Sequence, residues 1–361
     1  MDLRAFGGID CDVHPTLPGT GALLAYLDAH WRHVVTMREI DRLELNSYPP
    51  NAPLTARPDW KPEGGRAGVD CAALCRDTLD HFGLRHAILN CLTGVQVVYN
   101  EHIGAALCRA VNQWIAAEWL DRDARLRASI VISPTNPDTA AEEIERAGAD
   151  KRFVQVLLLA QNEMPLGRRY YWPIFRAAER LGLPIGIHAG SMMRHAPTQS
   201  GYPSTLVEDY IGQTQGFAAQ LISLVAEGVF AQFPALRVVL MESGVSWLPG
   251  LMWRMSKDWR GIRTEVPWVK STPAQVLREH VRLTITPFDA PPDDADLGRV
   301  IAQMGSDEML LFSTDYPHWQ FDGDDVLPAG LPDSLLQKIM VDNARATYPR
   351  LDVPQLAEVT P

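Results

Sequence analysis

Five ionisable side chains stand at the ends of apolar, strand-like runs, and their types are those that hold a cation. In Ile9-Asp10-Cys11-Asp12-Val13-His14, Asp12 and His14 are two residues apart, so both point to one face of a strand. Pro184-Ile185-Gly186-Ile187-His188 ends in His188, and Arg237-Val238-Val239-Leu240-Met241-Glu242 ends in Glu242. Met309-Leu310-Leu311-Phe312-Ser313-Thr314-Asp315-Tyr316-Pro317-His318 stops at a carboxylate, with an imidazole three residues further on. Buried carboxylates and imidazoles side by side are unfavourable unless they are paired or share a cation. Neutral imidazole nitrogen and carboxylate oxygen suit zinc with one position left open for water, and manganese or iron(II) accept the same donors. The expected ligands of one divalent ion, zinc first, are therefore Asp12, His14, His188 and Asp315. Taken singly, Asp12 could cap a helix, His14 before Pro15 could sit in a loop, and His188 could be a core imidazole bonded to a carbonyl. Taken together, they favour the ion.

Groups so far apart in the chain meet only if the strands carrying them converge. Eight strand-like segments can be read, at 9–13, 86–91, 126–132, 153–159, 184–188, 237–242, 281–286 and 309–315. Helical stretches separate most of them, at 71–82, 101–120, 138–147, 171–181, 216–230, 247–258 and 294–304, with a last one at 334–348. Such alternation is the pattern of βα units. A doubly wound sheet gathers its ligands at one switch point, whereas ligands on strands one, five, six and eight meet only at the C-terminal end of a closed barrel. The expected fold is thus a single α/β domain over residues 1–361, a (β/α)8 TIM barrel. Pro49, Pro50, Pro53, Pro58 and Pro62 break regular structure early on, so residues of about 17–69 read as a long β1–α1 insertion over the barrel mouth.

The sequence is 46% hydrophobic and 21% charged, enough for an ample core. A net charge of −11 without a Lys/Arg stripe argues against a nucleic-acid partner and for a small-molecule substrate. No apolar run reaches bilayer length, and Met1-Asp2-Leu3-Arg4 lacks the pattern of a signal peptide, so no membrane association and a cytoplasmic location are expected. Cys11, Cys71, Cys75, Cys91 and Cys108 read as buried thiols of a reducing compartment.

Asp-Val-His on strand one, His-Ala-Gly after strand five, Glu-Ser-Gly-Val-Ser-Trp-Leu-Pro after strand six and Ser-Thr-Asp-Tyr-Pro-His on strand eight resemble the amidohydrolase superfamily. They look like its amidohydrolase-related branch, which includes aminocarboxymuconate semialdehyde decarboxylase, resorcylate-type decarboxylases and several lactone hydrolases. The resemblance runs from Ile9 to about Tyr348 and implies a metal-dependent barrel enzyme that forms a homodimer or higher homo-oligomer. It makes Asp315 a proton shuttle as well as a ligand. Asp12 stands where many members carry the first His of His-x-His, and Glu242 stands where the decarboxylases present a His. Glu242 is then an acid–base group or a polar anchor for substrate. Arg254 matches an arginine that binds the substrate carboxylate in those relatives, from the neighbouring subunit; a salt bridge to Asp258 is its other reading. His318 lines the pocket as a catalytic group or orients Asp315. Arg194 and Tyr316 are substrate-binding candidates, with His195 a weaker one, and Trp172, Trp247 and Trp319 suggest an aromatic mouth.

Two activities follow. The first is hydrolysis of an amide, lactone or related carbonyl of a small, acidic molecule by metal-activated water, with Glu242 taking the proton. The second is non-oxidative decarboxylation of a small or aromatic carboxylic acid. Glu242 speaks for the first and Arg254 for the second.

Overall fold

Continuous apolar runs are what strands look like when both faces are covered, and each such run becomes a strand of one parallel sheet. The computed structural model describes residues 3–43, 56–190, 196, 198, 200–289, 291, 293–319, 327 and 331–352. Its strands are β1 (Ile9–Val13), β2 (His86–Leu89), β3 (Leu126–Val131), β4 (Phe153–Leu159), β5 (Ile185–His188), β6 (Val238–Met241), β7 (Val281–Thr284) and β8 (Leu310–Leu311). They lie side by side in chain order, every pair parallel, and every strand residue is buried. The register sets Leu159 beside His188 and His188 beside Met241, so strand ends four, five and six finish level.

β8 is shorter than the sequence suggested, because side chains take over the backbone partners beyond Leu311. Thr286 N–H donates to Ser313 Oγ at 3.1 Å, Thr286 Oγ1 to the Ser313 carbonyl at 2.7 Å, and Thr314 N–H to Asp10 Oδ1 at 3.1 Å. The chain then crosses to β1 and brings the two ends of the sheet together. Cys11 N–H donates to the Phe312 carbonyl (2.9 Å), Asp315 N–H to that of Asp12 (3.0 Å) and His14 N–H to that of Tyr316 (2.7 Å). The outcome is a nearly closed (β/α)8 barrel whose carboxyl ends face one centre.

The helices begin and end where local chemistry dictates. Gly182, in the left-handed conformation at φ 66°, closes Trp172–Leu181 without the penalty a Cβ would bring. The helix Leu206–Ala226 starts about ten residues earlier than its apolar pattern suggested. Thr205 and Glu208 form a reciprocal cap there, satisfying backbone donors at the first turn. Between β1 and β2, helical turns at Thr20–Tyr26 and Ala29–Met37 lead to a segment that meets the chain beyond β8. Arg57 N–H donates to the Pro317 carbonyl at 2.9 Å, Ala56 bridges to His318, and the Trp60 ring lies 4.8 Å from that of Tyr316. Part of the expected insertion, residues 44–55, lies outside the described residues.

Candidate metal centre

Alternation along β1 turns Ile9, Cys11 and Val13 to one face and Asp10, Asp12 and His14 to the other, into the barrel. Asp12, His14, His188 and Asp315 converge there, and each is fully buried. One donor atom from each lies within 4.8 Å of the others. His14 Nε2 is 2.9 Å from Asp315 Oδ1 and 3.3 Å from Asp12 Oδ1, and His188 Nε2 is 3.6 Å from Asp12 Oδ2. Donors sharing one ion at ~2.1 Å are separated by roughly 3–4 Å, so these spacings fit.

Each imidazole is aimed by its second nitrogen. His14 Nδ1–H donates to the Asn90 carbonyl at 2.8 Å and His188 Nδ1–H to that of Ala189 at 2.7 Å, leaving both Nε2 lone pairs toward the centre. Asp12 Oδ2, Asp315 Oδ2, His188 Nε2 and His318 Nε2 are buried without a hydrogen-bond partner. Buried polar atoms are almost always satisfied, and three orphans in the one group of Asp12, His14, His188 and Asp315 mark a place for a ligand.

The protonation pattern agrees. Burial pushes the His14 ring down to about 3, His318 and His188 adding to the effect against Asp12, so it is a neutral donor. Burial also disfavours charge on His188, but Asp12 and Glu242 outweigh it and raise its pKa to about 9. For Asp12, burial is outweighed by His14 and His188, which hold the carboxyl low. Burial keeps Asp315 high against the pull of His318, and burial with Asp315 keeps Glu242 high. Binding of a divalent ion at these donors would compete with protons for the same lone pairs.

A second group adjoins the first. His318 Nδ1–H is shared between Asp315 Oδ1 at 2.7 Å and Glu242 Oε1 at 3.0 Å, and the ring stacks on His14 at 4.5 Å. Burial opposes a charge on His318, yet Asp315 and Glu242 hold its pKa well above the ordinary value. Glu242 and Asp315 both have left-handed backbones, φ 56° and 57°, conformations rare for residues with a Cβ and typical of functional sites. Asp289 holds the turn after Glu242, accepting from Val245 N–H at 2.5 Å, Ser246 N–H at 3.1 Å and Ser246 Oγ at 2.7 Å.

Other expected residues are placed differently. Tyr316 is buried in packing against Trp60. Arg254 lies on the helix Leu248–Ile262 with its side chain 78% exposed, and its Nε donates to Asp258 Oδ2 at 2.6 Å, so within this chain the ion pair is what the structure supplies. Arg194 and His195 lie outside the described residues. Trp319 is half exposed, while Trp247 and Trp172 donate to the carbonyls of Ser243 and Gly167.

Sequence reasoning overlooked the layer beneath. Asn90 Nδ2 donates to Asp12 Oδ1 at 2.8 Å, and its Oδ1 accepts from Ser129 Oγ (2.6 Å) and Gln155 Nε2 (3.2 Å). Tyr348 OH donates to Gln155 Oε1 at 3.0 Å. Gly186 makes room, since a Cβ there would lie 2.5 Å from Gln155 Nε2. The signal was present as lone polar residues inside the apolar runs of strands three and four.

Comparison with known proteins agrees with this geometry. γ-Resorcylate decarboxylase of Polaromonas sp. strain JS666 is 26% identical over 265 residues, 68% of this chain and 76% of that protein. Among solved structures, an amidohydrolase of Mycobacterium avium subsp. paratuberculosis superposes with a TM-score of 0.74 at 21% identity, covering 96% of this chain and 98% of that one. A dihydroxybenzoic acid decarboxylase of Polaromonas sp. JS666, with bound manganese and the inhibitor 2-nitroresorcinol, gives 0.65 at 19% identity, covering 95% and 97%. These likenesses support the barrel, and the model of the amidohydrolase family matches residues 9–350, so this chain belongs to the amidohydrolase family.

Proposed function

We propose that this protein is a metal-dependent, non-oxidative decarboxylase of a small aromatic carboxylic acid. Sequence analysis put hydrolysis first and decarboxylation second; the decarboxylase relatives reverse that order. The observation that carries the reading is the buried set Asp12, His14, His188 and Asp315, with three of its donor atoms unpartnered. Two imidazoles and two carboxylates suit manganese as well as zinc, and the manganese-bound relative gives manganese more weight than the sequence did.

In the reaction, the bond between the substrate carbon and its carboxylate breaks, carbon dioxide leaves, and the electron pair left on carbon takes a proton. A divalent ion in the site supplies positive charge for the substrate's carboxylate and a neighbouring oxygen. His14 and His188 hold their lone pairs inward, and Asn90 fixes the Asp12 carboxylate. His318, clamped by Glu242 and Asp315, holds a proton beside the cluster, and Asp315 relays it. Glu242 thereby acts through His318 and needs no metal-activated water. Residues 56–60, between β1 and β2, lie against the chain beyond β8. Arg254 serves a neighbouring subunit of a homo-oligomer or stays paired with Asp258, and Arg194 is a further candidate to bind the substrate. Five unbridged, buried cysteines are consistent with a cytoplasmic location, and none of the described helices is long and apolar enough to cross a membrane.

The test is to strip the protein of metal, reload it with manganese or zinc, and offer hydroxybenzoates and lactones while recording both carbon dioxide and acid release. Stoichiometric carbon dioxide from a hydroxybenzoate is expected. Lactone opening without gas evolution would restore hydrolysis as the function.

A further inference from the structure

A cavity of about 420 Å³ opens at the end of the barrel opposite the metal centre, within the range of pockets that enclose small organic molecules. It lies where the helix Leu206–Ala226 and the turn Val229–Gln232 meet the helix Pro273–His280, at the amino ends of β6 and β7. Leu236, whose carbonyl holds one wall residue, is six residues before Glu242, roughly 20 Å of extended chain. A molecule bound here does not reach the metal ligands.

The walls are aromatic and fixed. The Trp268 ring is 42% exposed, yet it is not free to turn. Its Nε1 donates to the Ala226 carbonyl at 2.7 Å, and the ring lies against Gly228, where a Cβ would come within 2.4 Å of it. Gly228 is also left-handed, at φ 80°, a conformation that disfavours any side chain. Capping a helix end accounts for the indole nitrogen. It does not account for a large apolar face held open beside a cavity. On another wall the Phe230 and His280 rings stack, with centroids 4.5 Å apart.

His280 supplies the directional group. The residue is 8% exposed, and its Nδ1 lies 2.8 Å from the Leu236 carbonyl. A carbonyl only accepts, so Nδ1 carries the hydrogen and Nε2 keeps its lone pair, without a partner among the described residues. Burial, with Arg237 and Arg282 adding to it, holds the imidazole pKa below its ordinary value, so the ring is a neutral acceptor. Lys270 and Glu279 place one charge of each sign on the wall, which leaves the lining without a net charge. Such a chamber selects a neutral, planar ring with a hydrogen-bond donor on its edge.

We propose that this cavity binds a neutral phenol, its ring against Trp268 and its hydroxyl donating to His280 Nε2. The site stands whether or not the metal centre decarboxylates.

Fluorine NMR titration of the metal-loaded protein with 4-fluorophenol and with 4-fluoroanisole tests it. The phenol is expected to bind at least ~10-fold more tightly, because the ether cannot donate to His280. Trp268→Leu should weaken both ligands at least ~5-fold. His280→Phe should bring the phenol down to the affinity of the anisole and leave the anisole unchanged. Ala231→Trp, at an exposed position of the lining, fills the cavity and should abolish binding of both; it keeps the measurement available if His280→Phe folds poorly. The metal-induced Tm shift is expected to be the same in all three variants as in the wild type. Equal affinity of the wild type for the two ligands, or phenol binding that Ala231→Trp leaves intact, overturns the site.

Discussion

Asp315→Asn should separate what the carboxylate does for an ion from what it does for the fold. In the wild type, a metal present at ~100 times its Kd adds about 2.7 kcal/mol to stability. For a domain of this size, that amounts to a Tm increase of roughly 4 °C. Asp315 offers two oxygens at the centre, Oδ1 at 2.9 Å from His14 Nε2 and Oδ2 with no partner. Loss of a supporting group alone weakens metal sites by ~10–100-fold, so loss of this donor charge should weaken binding at least ~100-fold. At the same metal concentration the stabilisation then falls to ~0.4 kcal/mol, a shift of about 0.5 °C. Without metal the expectation reverses. Burial holds the Asp315 carboxyl high, so its charge is a burden on the ion-free fold, while an Asn oxygen can still accept from His318 Nδ1, now 2.7 Å from Oδ1. The ion-free variant should match or exceed the wild type, within ~1 kcal/mol. Thermal unfolding in chelator and in manganese or zinc reads both arms. A variant that keeps the full metal shift, or loses ~3 kcal/mol without metal, would refute the reasoning.

Three further outcomes are expected. Asn90→Ala strips a partner from Asp12, Ser129 and Gln155 together; it should cost ~2–4 kcal/mol in chemical denaturation and loosen metal binding ~10–100-fold. Glu242→Gln should lower kcat by ~10²–10⁴ while leaving the metal-induced Tm shift nearly intact, because Glu242 acts on His318; a lost shift would make Glu242 a ligand instead. Burial lifts the Asp209 carboxyl to about 6 against the pull of Gln213. The fold thus holds that proton more tightly than the unfolded chain does, and stability falls as pH rises from about 4 to 6. Asp209→Asn should then stabilise by ~2 kcal/mol at pH 8, the full ~3 kcal/mol being trimmed by nearby water, and by nothing below about pH 4. Equal gains at both pH values would show that the carboxyl is not the cause.

The strands were legible because a parallel barrel demands uninterrupted apolar runs, and β1 to β7 lie where those runs lie. β8 was overestimated because pattern alone does not say who accepts a backbone hydrogen bond. Ser313 and Thr314 continue the run, but their backbone groups bond to Thr286 and Asp10 side chains. The start of Leu206–Ala226 was misplaced for the opposite reason: an apolar stripe was followed where the local signal was the Thr205 to Glu208 cap.

At the site, residue type and strand-end position were enough to bring Asp12, His14, His188 and Asp315 together, since in a closed ring every inward-facing strand end shares one neighbourhood. The same rule cannot separate a ligand from a neighbour of a ligand, which depends on backbone turns of a few ångströms. Glu242 and Asp315 both leave their strands in left-handed conformations, and His318, three residues further on, comes back between them. That double turn makes His318 a bridge between two carboxylates. It also gives a physical reason to prefer protonation of a carbon over attack by water: His318 Nδ1 is held between Asp315 Oδ1 and Glu242 Oε1, a placement that favours a proton on this imidazole, and Glu242 already accepts its hydrogen bond. Glu242, the base that the sequence assigned to hydrolysis, has its Oε1 engaged by His318 Nδ1.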